Sequence, residues 1–479
     1  MLFDPIQTGT VTLPNRIAVP AMVTRLAGSD GFVNDEIVDR YTRFAEGGAG
    51  LVVIEATSVH GGKSGPLLRA SSDEFVPGLA RVADAVHAAG PGKLFLQIIH
   101  FLKIARSGWR QKIGDVPRED IEALPAMFAA AARRAQAAGM DGVELHMAHA
   151  YTLSSLLSRR NKRRDGYGCT LENRMRLPTM VMARVREAVG DDFPVGVRYD
   201  AEECIKDGYS LPDSAEFAVR FAELGAAYVS LSAGGKFEDA IHQEGRPLYP
   251  YTGYSGDRCM PGSQYPDAFN VWLAEGVRSA LRARGHETPV LGSGKIGTVE
   301  LAEQLLVEGR CDIIGMARAL LADPWWPIKA QEGRFDEVVR CIYCNVCKNL
   351  DENFKTVVCY LWPRGLQQAP RPGEVDRAQL EWPDGDTLSG VHKHGRNRLQ
   401  WPRPKGDGLA GFDVFRSIDG HTFDRLVATT TPGRNDDTVV GGRRYSYYVQ
   451  AYDRGGRRGL PSNIVEIAVP RWAEVEDHG

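Results

Sequence analysis

Four of the chain's eight cysteines lie in one short run, CIYCNVCKNLDENFKTVVC, which starts at Cys341 and ends at Cys359. Two residues separate Cys341 from Cys344, two more separate Cys344 from Cys347, and eleven precede Cys359. Thiolates suit both zinc and iron–sulfur clusters, so the spacing alone leaves both kinds of site open. A four-thiolate zinc site usually shows two separate pairs of cysteines, and the second pair is missing here.

A second set of reactive side chains, His146, His149 and Tyr151, lies at the end of the apolar segment 141–148. An imidazole can donate a hydrogen bond to a carbonyl oxygen, and a phenol can deliver a proton. Histidine pairs also ligate metals, but no Asp or Glu stands at a spacing that would complete a metal set. From these residues alone we predict a substrate site, with metal binding and a purely structural role as the alternatives.

The elements that must position these side chains are short apolar strands that alternate with longer segments of helical period. Each strand candidate is nearly continuous in apolar residues, as expected of a strand covered on both faces. The candidates are residues 15–22, 50–57, 94–100, 141–148, 194–201, 228–234, 289–295 and 312–318. Eight strand–helix units in about 330 residues predict a (β/α)8 TIM barrel. An open doubly wound sheet is less favoured, because the sequence contains no strand–GxGxxG–helix opening.

Helical segments lie between the strand candidates, for example at residues 73–90, 119–139 and 211–226. The second is rich in alanine and ends at Gly139, a residue type that favours helix termination. For the third we predict that the helix starts at Asp213 or Ser214, because short polar side chains cap helix starts.

In a barrel, the residues that do chemistry lie where strands end and the following loops begin. The residues at those positions are Gln97, His100, His146, His149, Arg198, Ser293, Gly294, Lys295 and Arg318. A long aromatic loop, residues 236–262, follows the sixth strand, and long loops of a barrel often cover the substrate. Its candidate contact residues are His242, Tyr249, Tyr251 and Tyr254.

The composition is that of a globular protein, with 43% hydrophobic residues, 25% charged residues and a net charge of −3 over 479 residues. This near-neutral balance gives no reason to expect nucleic acid or an anionic membrane as a partner. The N-terminal residues do not resemble a signal peptide, and no apolar run is long enough to span a bilayer. The other four cysteines are scattered singly, which favours a reducing, cytoplasmic location over a disulfide scaffold. They are Cys169, Cys204, Cys259 and Cys311, which we interpret as core or incidental thiols.

The pattern changes after Cys359. Residues 363–379 are rich in proline and charge and predict a linker. Short alternating strands then predict an all-β sandwich domain over residues 380–472. The strand candidates are residues 397–404, 411–417, 424–430, 443–453 and 462–470. The segment resembles a fibronectin type III domain, with Trp401 as a core tryptophan and Tyr445 as a corner tyrosine.

Three separated motifs resemble one known family. They are LFDPIQTGTVTLPNRIAVPAM near the start, DGVELHMAHAYTLSSLLSRRNKRRDGYGCTLENRMRL at 141–177, and PVLGSGKIGTVELAEQLLVEGRCDIIGMARALLADP near the barrel's end. In this order they resemble the old yellow enzyme family of NADH:flavin oxidoreductases, over about residues 1–362. The four-cysteine run is similar to the iron–sulfur branch, which includes 2,4-dienoyl-CoA reductase and trimethylamine dehydrogenase. We therefore expect a barrel over 1–335 and a four-cysteine iron–sulfur segment over 336–362.

The resemblance implies that FMN lies across the barrel mouth. The residues that would flank its ring are Pro20, Ala21, Met22, Val23, Ala56 and Gln97. Arg198 would face the N1/O2 edge, where a cation stabilises the negative charge of reduced flavin. The FMN phosphate would be held by Gly294 and Lys295 after the seventh strand, and by Ala317 and Arg318 after the eighth.

The resemblance also implies a reaction, the reduction of an activated C=C bond in an α,β-unsaturated carbonyl or thioester. His146 and His149 would bind and polarise the substrate carbonyl. Flavin N5 would pass a hydride to the β-carbon, and Tyr151 would protonate the α-carbon. A phenol, with an ordinary pKa of about 10, suits the strongly basic enolate that hydride addition creates.

The cysteine run implies a [4Fe–4S] cluster held by Cys341, Cys344, Cys347 and Cys359. The sequence has no dinucleotide fingerprint, so the cluster has no partner cofactor within the chain. Either NAD(P)H reduces FMN directly, or electrons cross the cluster to or from an external carrier such as a ferredoxin or an electron-transfer flavoprotein. We favour the external carrier, and we expect a homo-oligomer that acts on a small-molecule substrate.

Several positions depart from the family's pattern. The first strand reads Pro20-Ala21-Met22 where the family often has Ala-Pro-Met, and Val23 replaces a common Thr or Cys. Ala317 replaces a glycine at the phosphate corner, and Leu102-Lys103 replaces Gly-Arg after the third strand. These changes leave the flavin potential and the substrate open. Met22 stands where trimethylamine dehydrogenase has its flavin-linked cysteine, so FMN is expected to be noncovalent. An amine- or enone-forming dehydrogenase and a non-catalytic electron carrier or scaffold are the alternative functions.

Overall fold

The computed structural model describes most of the chain and divides it into two compact units. The described residues are 1–61, 67–103, 111–234, 256–263, 265–363, 365–374, 380–383, 387–418, 423–454 and 457–471, with only the backbone for 256, 257 and 336. The first unit comprises Met1–Pro261, Asp267–Val338 and Phe354–Val357. The second comprises Gly262–Pro266, Val339–Asn353 and Val358–Gly479. None of the described helices is both long and apolar enough to cross a membrane.

The strands of the first unit confirm the predicted TIM barrel. A small antiparallel hairpin comes first, formed by β1 (Ile6–Thr8) and β2 (Val11–Leu13). The barrel strands are β3 (Ile17–Val19), β4 (Leu51–Ser58), β5 (Lys93–Ile99), β6 (Gly142–Met147), β7 (Val195–Asp200), β8 (Val229–Ser232), β9 (Val290–Ser293) and β10 (Ile313–Gly315). In the described part of the chain these eight close in the order β10-β3-β4-β5-β6-β7-β8-β9, with parallel neighbours. The first strand is shorter than predicted, because Pro20 has no N–H to continue the ladder.

The helices of the first unit lie between these strands. They are α1 (Asp35–Glu46), α2 (Val76–Ala89), α3 (Arg118–Glu122), α4 (Leu124–Ala137), α5 (Thr152–Leu157), α6 (Leu171–Val189), α7 (Leu211–Glu223), α8 (Gly256–Cys259), α9 (Val271–Ala283), α10 (Val299–Val307), α11 (Ala317–Ala322) and α12 (Trp326–Gln331). Short 3₁₀ helices span Asp73–Phe75, Ile113–Asp115 and Phe335–Glu337.

Two helix predictions were wrong in detail. The segment 119–139 is not one helix, because Pro125 lacks an N–H and cannot continue α3, so α4 starts beside it. Helix α7 starts at Leu211 after Ser210, not at Asp213 or Ser214. Pro212 fits the first turn of a helix, which moves the start earlier.

Glycines inside the barrel make room for large aromatic rings. A Cβ on Gly142 would lie 2.5 Å from Cζ of Phe95, and a Cβ on Gly196 would lie 2.5 Å from Cζ of Tyr228. The two rings lie side by side, with centroids 5.7 Å apart. These glycines therefore let Phe95 and Tyr228 fill the space between strands.

The second unit contains one further helix, α13 (Val346–Glu352), and two antiparallel sheets. The strands are β11 (Ser389–Lys393), β12 (Arg396–Gln400), β13 (Leu409–Ser417), β14 (Asp424–Thr429), β15 (Gly433–Asp436), β16 (Arg444–Asp453), β17 (Arg458–Pro461) and β18 (Val465–Ala468). The first sheet has the order β11-β12-β15, and the second contains β14-β13-β16-β17 with β18 paired to β16. Both sheets contribute to one apolar core.

The sequence predicted five of these strands and missed β11, β15 and β17. Their residues are largely exposed or interrupted by Gly and Pro, so they lack the alternation that identifies a strand. Trp401 and Tyr445 are buried in the core, as predicted. The Tyr445 hydroxyl accepts a hydrogen bond of 2.8 Å from the N–H of Val440. The fibronectin type III resemblance and the domain boundaries given above stay predictions.

We predict that Gly196→Ala lowers the free energy of unfolding by about 1–3 kcal/mol, because the added methyl group would overlap the Tyr228 ring. Urea denaturation followed by circular dichroism measures this change. Gly114→Ala is the matched control, because a Cβ there meets no atom within 4 Å. The control should change the free energy by less than about 0.5 kcal/mol. Equal effects of the two substitutions would contradict the packing role of Gly196.

Candidate active site

The structure brings His146, His149 and Tyr151 together at the C-terminal end of β6. The ring centroid of His146 lies 5.1 Å from that of His149 and 5.1 Å from that of Tyr151, both in near-perpendicular orientation. His146 and Tyr151 are buried, at 3% and 7% exposure. The three predicted side chains thus form one compact group of hydrogen-bonding atoms at a strand end, where barrel chemistry occurs.

An unusual turn joins His146 to Tyr151. His149 and Ala150 have φ angles of 59° and 55°, the left-handed region that non-glycine residues seldom adopt. The His149 N–H donates a hydrogen bond of 2.7 Å to Oδ2 of Asp200, and the Ala150 N–H donates one of 3.2 Å to Oγ of Ser154. Ser154 Oγ also donates to Asp200 Oδ2 at 3.3 Å. Buried Asp200 therefore holds the turn that aims His149.

Asp200 is a functional residue that the sequence analysis missed. It is fully buried at the end of β7, and burial raises the pKa of its carboxyl well above the usual value, while the His149 N–H opposes the rise. The available signal was its place at the end of a predicted strand. The sequence does not show which loop such a carboxylate supports.

The imidazole of His149 has two further partners. Its Nε2 lies 2.7 Å from Oγ of Ser232, at the end of β8, and 3.1 Å from Sγ of Cys259, at the end of α8. Nothing in the sequence indicated that the Cys259 sulfur contacts a candidate catalytic side chain, and its interpretation as a core or incidental thiol stays a prediction. The candidate substrate-contacting residues of the long loop, His242, Tyr249, Tyr251 and Tyr254, lie outside the described residues.

His100, another residue at a strand end, contacts Thr152, which follows Tyr151 in the chain. Its Nδ1 lies 2.9 Å from Oγ1 of Thr152, and its carbonyl oxygen accepts from the Thr152 N–H at 3.3 Å. Burial, with the neighbouring His60, lowers the pKa of His100 to about 3. His100 is therefore neutral near pH 7 and fixes the start of α5 by hydrogen bonding.

The predicted flavin-contacting residues surround the same strand ends. Val23 and Ala56 belong to an apolar cluster with Ile99, Phe101 and Tyr151. This cluster joins the loop after β3 to the candidate catalytic phenol. Such an apolar wall suits a flat ring that must exclude water from the reacting atoms.

Arg198, on β7, is the cation expected at the flavin N1/O2 edge. It is 8% exposed, and its buried Nε and Nη1 have no hydrogen-bond partner among the described residues. A buried guanidinium without partners costs free energy, so these N–H groups fit an anionic or carbonyl-bearing ligand. This is the observation on the structure that best fits a flavin.

The four residues predicted to bind phosphate follow the neighbouring strands β9 and β10. Gly294 and Lys295 have φ angles of 127° and 56°, so this turn is left-handed throughout. Lys295 Nζ lies 3.4 Å from Oδ1 of Asp267, and Arg318 Nη1 donates at 2.6 Å to the carbonyl oxygen of Pro261. Ala317 starts α11. The structure thus places two cations and a backbone turn at one corner, as a phosphate requires.

A buried charge cluster behind the β3 loop was also missed by the sequence analysis. Glu55, inside the apolar run of β4, accepts a short hydrogen bond from the N–H of Thr24. The Glu55 N–H donates to the Tyr41 hydroxyl at 2.8 Å, and Arg40 donates to the carbonyl oxygen of Val357 at 3.1 Å. Burial raises the pKa of Glu55 to about 7, although Thr24, Arg25 and Arg40 favour its charged form. The sequence did contain a signal for this cluster, because a carboxylate inside an apolar strand indicates a buried charge that needs partners.

The cysteine segment belongs to the second unit. Tyr343 and Asn345, which flank Cys344, have left-handed φ angles of 54° and 55°. The Tyr343 N–H lies 3.4 Å from Sγ of Cys341, an N–H···S contact that stabilises thiolate sulfur. Left-handed turns of this kind expose N–H groups to anionic clusters, including iron–sulfur centres.

The thiol of Cys359 lies within the electrostatic reach of the other three. Burial raises its pKa well above the usual value, and Cys341, Cys344 and Cys347 raise it further. Mutual repulsion of this kind is relieved when thiolates share a cationic centre. Within the described residues no group of three or more His, Cys, Asp or Glu is arranged to hold a metal ion. Ligation by the four cysteines therefore stays a prediction.

Part of the cysteine segment packs against the five-stranded sheet of the same unit. Buried Cys344 forms a cluster with Phe415, Phe423 and Tyr448, separate from the core between the sheets. The rings of Phe415 and Tyr448 stack with centroids 4.6 Å apart. Four partly buried side chains pack against this cluster, which we call the segment seat, namely Ile342, Val346, Tyr360 and Ile464.

Comparison with known proteins identifies the family. A family model described as the NADH:flavin oxidoreductase / NADH oxidase family matches residues 1–246. The chain belongs to this family. Its members share the barrel seen here, and the first two of the three motifs quoted above begin within the matched range.

Individual members and solved structures add detail to the family assignment. The chain is 34% identical over 366 residues to the NADH oxidase of Thermoanaerobacter brockii, covering 72% of this chain and 53% of the relative. It resembles 2-naphthoyl-CoA reductase in complex with 2-naphthoyl-CoA, with a TM-score of 0.66 and 25% identity over 76% of this chain and 57% of that one. It also resembles histamine dehydrogenase from Rhizobium sp. 4-9, with a TM-score of 0.64 and 25% identity, over 81% of this chain and 55% of that one. The chain spans 52% to 63% of the length of three curated relatives that it matches, which are an NADH oxidase, a metal reductase and an N,N-dimethylglycine/sarcosine dehydrogenase.

We predict that the free energy of unfolding falls as the pH rises, because Glu55 loses its proton more readily in the unfolded chain than in the folded protein. Its pKa is about 7 in the folded protein and takes the ordinary value of 4.5 when the chain is unfolded, so the folded state holds one more proton between these pH values. The free energy of unfolding should therefore fall by at most about 3 kcal/mol between pH 4.5 and 7. Glu55→Gln should remove this decrease, as measured by denaturation at several pH values. Glu119→Gln, at an exposed position, is the control and should retain the wild-type slope.

Proposed function

We propose that this chain is an FMN-dependent oxidoreductase that reduces the activated C=C bond of an α,β-unsaturated carbonyl or thioester. The observation that carries the proposal is the group formed by His146, His149 and Tyr151 at the end of β6, beside Arg198 of the neighbouring strand β7, whose Nε and Nη1 have no partner among the described residues. Family membership supports the flavin. The likeness to 2-naphthoyl-CoA reductase supports a thioester substrate.

The residues proposed to hold FMN surround the barrel mouth. Pro20, Ala21, Met22, Val23, Ala56 and Gln97 would line the ring, and Gly294, Lys295, Ala317 and Arg318 would hold the phosphate. Arg198 would neutralise the charge that collects on the N1/O2 edge on reduction. When bound, FMN supplies the hydride. Met22 offers no thiol, so the cofactor would be held without a covalent bond.

The remaining groups act on the substrate. His146 and His149 would donate hydrogen bonds to the carbonyl oxygen, where negative charge develops in the transition state. Asp200 holds the turn that places His149, so this donor is positioned before the substrate arrives. The Tyr151 hydroxyl would deliver its proton to the α-carbon. The apolar wall of Val23, Ala56 and Phe101 would exclude water from that transfer.

A [4Fe–4S] cluster on Cys341, Cys344, Cys347 and Cys359 is part of the proposal. Such a cluster exchanges single electrons with carriers outside the chain. The chain has no dinucleotide fingerprint of its own, which supports an external carrier, a ferredoxin or an electron-transfer flavoprotein. Direct reduction by NAD(P)H is the alternative. A homo-oligomer in the cytoplasm, with a fibronectin type III-like domain, completes the proposal.

A second candidate function is a dehydrogenase that oxidises an amine or forms an enone and releases electrons through the cluster. The likeness to histamine dehydrogenase favours it. Anaerobic mixing of the oxidised protein with a candidate substrate distinguishes the two functions. Loss of the flavin absorbance with the amine alone supports the dehydrogenase. Reoxidation of the reduced protein by an enone or enoyl thioester supports the reductase.

We predict that Tyr151→Phe slows reoxidation of the reduced protein by an unsaturated substrate about 10²- to 10⁴-fold, because the variant has no proton to deliver. Reduction of the flavin should be unaffected. Stopped-flow absorbance measures both half-reactions separately. Tyr167→Phe is the matched control, since its hydroxyl donates to Glu122 at 2.8 Å and lies outside the candidate site. Equal turnover of the Tyr151→Phe variant and wild type would remove Tyr151 from the mechanism.

We also predict that Cys347→Ser abolishes iron and sulfide incorporation and leaves FMN bound. Metal analysis and the absorbance spectrum measure the two cofactors in one sample. Turnover supported by an external carrier should fall with the iron content. Cys169→Ser, at an exposed thiol outside the run, should retain both cofactors. Rapid NAD(P)H-driven turnover by the iron-free variant would show that the external carrier is not required.

A further inference from the structure

Glu144 is a buried carboxylate inside the barrel to which the proposed mechanism gives no role. It lies in β6 at 1% exposure. It stands two residues before His146 on the same strand, and residues two apart on a strand share a face. A charged group at this depth is costly unless other groups compensate its charge.

Both oxygens of Glu144 accept hydrogen bonds from other segments of the barrel. Oε1 accepts from Nε2 of Gln97 at 2.6 Å, and Oε2 accepts from the Tyr228 hydroxyl at 2.9 Å. Gln97 and Glu144 are direct partners in the register of β5 and β6. The Tyr228 ring can reach this position because Gly196 leaves room beside it.

These partners fix the orientation of the Gln97 amide. An ionised carboxylate only accepts hydrogen bonds, so the amide nitrogen of Gln97 must face Glu144. The carbonyl oxygen of Gln97 then faces away from Glu144 and can accept a hydrogen bond from another group. Because Gln97 is proposed to flank the flavin ring, it would present a hydrogen-bond acceptor to the bound cofactor.

Glu144 also acts on Arg198. Burial raises the pKa of Glu144, and the positive charge of Arg198, with the hydrogen bonds from Gln97 and Tyr228, opposes that rise and favours the charged form. No hydrogen bond joins the two side chains among the described residues, and Nε and Nη1 of Arg198 stay without a partner. Glu144 therefore compensates the charge of the arginine while leaving its N–H groups for a ligand.

We propose that Glu144 is a positioning residue for FMN, which orients the Gln97 amide and holds a negative charge behind Arg198. A negative charge at this place disfavours the anionic reduced flavin, so Glu144 keeps the two-electron reduction potential of FMN lower than a neutral residue would. The inference rests on the proposed function, because it requires FMN at this barrel mouth.

The test is a spectroelectrochemical titration of the FMN-loaded Glu144→Gln variant against wild type. The potential should shift to a more positive value, because the negative charge is removed. FMN affinity, measured by fluorescence on release, should weaken about 2- to 10-fold, since the new amide has one acceptor oxygen for two donors and no longer fixes the orientation of the Gln97 amide. Tyr228→Phe is the matched control, because it removes one donor to Glu144 and keeps the charge. Its potential should stay close to that of wild type.

The outcomes separate this inference from the proposed function. A wild-type protein that binds no FMN would overturn both. A folded Glu144→Gln variant with bound FMN and the wild-type potential would overturn the role of Glu144 alone. If that variant does not fold, Glu144→Asp keeps the charge but shortens the side chain by one carbon. Weaker FMN binding at an unchanged potential would then support the inference, and wild-type affinity would contradict it.

Discussion

The Asp200 carboxylate holds two consecutive left-handed residues in place, and the geometry of the candidate active site depends on this. Left-handed backbone at residues other than glycine costs on the order of 1 kcal/mol or more per residue. At His149 and Ala150 the cost is offset by hydrogen bonds to Asp200 and to Ser154, which itself bonds to Asp200. A relaxed turn would direct the imidazole elsewhere, so the barrel end maintains a strained loop to align His149 with its neighbours.

Buried carboxylates recur across the barrel and follow one pattern. Glu55, Glu144 and Asp200 each lie in a strand, each is almost fully buried, and burial raises the pKa of each. Each accepts a hydrogen bond from a neighbouring segment of chain. Glu55 fixes the β3 loop, Glu144 orients an amide, and Asp200 fixes the turn after β6. The acidic groups thus support loops and side chains from beneath, while cationic Arg198 keeps N–H groups for a ligand.

The sequence was sufficient to predict the barrel and the strand ends at which the candidate residues lie. Nearly continuous apolar runs identified each barrel strand, and the rule that chemistry lies at strand ends selected His146, His149 and Arg198. Contacts between residues far apart in the chain could not be predicted, because a single sequence does not show which side chains are in contact. Cys259 illustrates this limit, since it follows a long loop and only the fold brings it to His149. Strands with exposed polar residues, such as β11, were missed for lack of any alternation.

The segment seat has a consequence for engineering shorter versions of this protein. Phe415, Phe423 and Tyr448 of the sandwich cover Cys344 and its apolar neighbours. A chain truncated after residue 362 would retain the cysteines but lose this cover, leaving apolar side chains in contact with water. Exposed patches of this kind promote association between molecules. The sandwich domain therefore cannot be removed without exposing this apolar surface when the protein is shortened for crystallisation or biocatalysis.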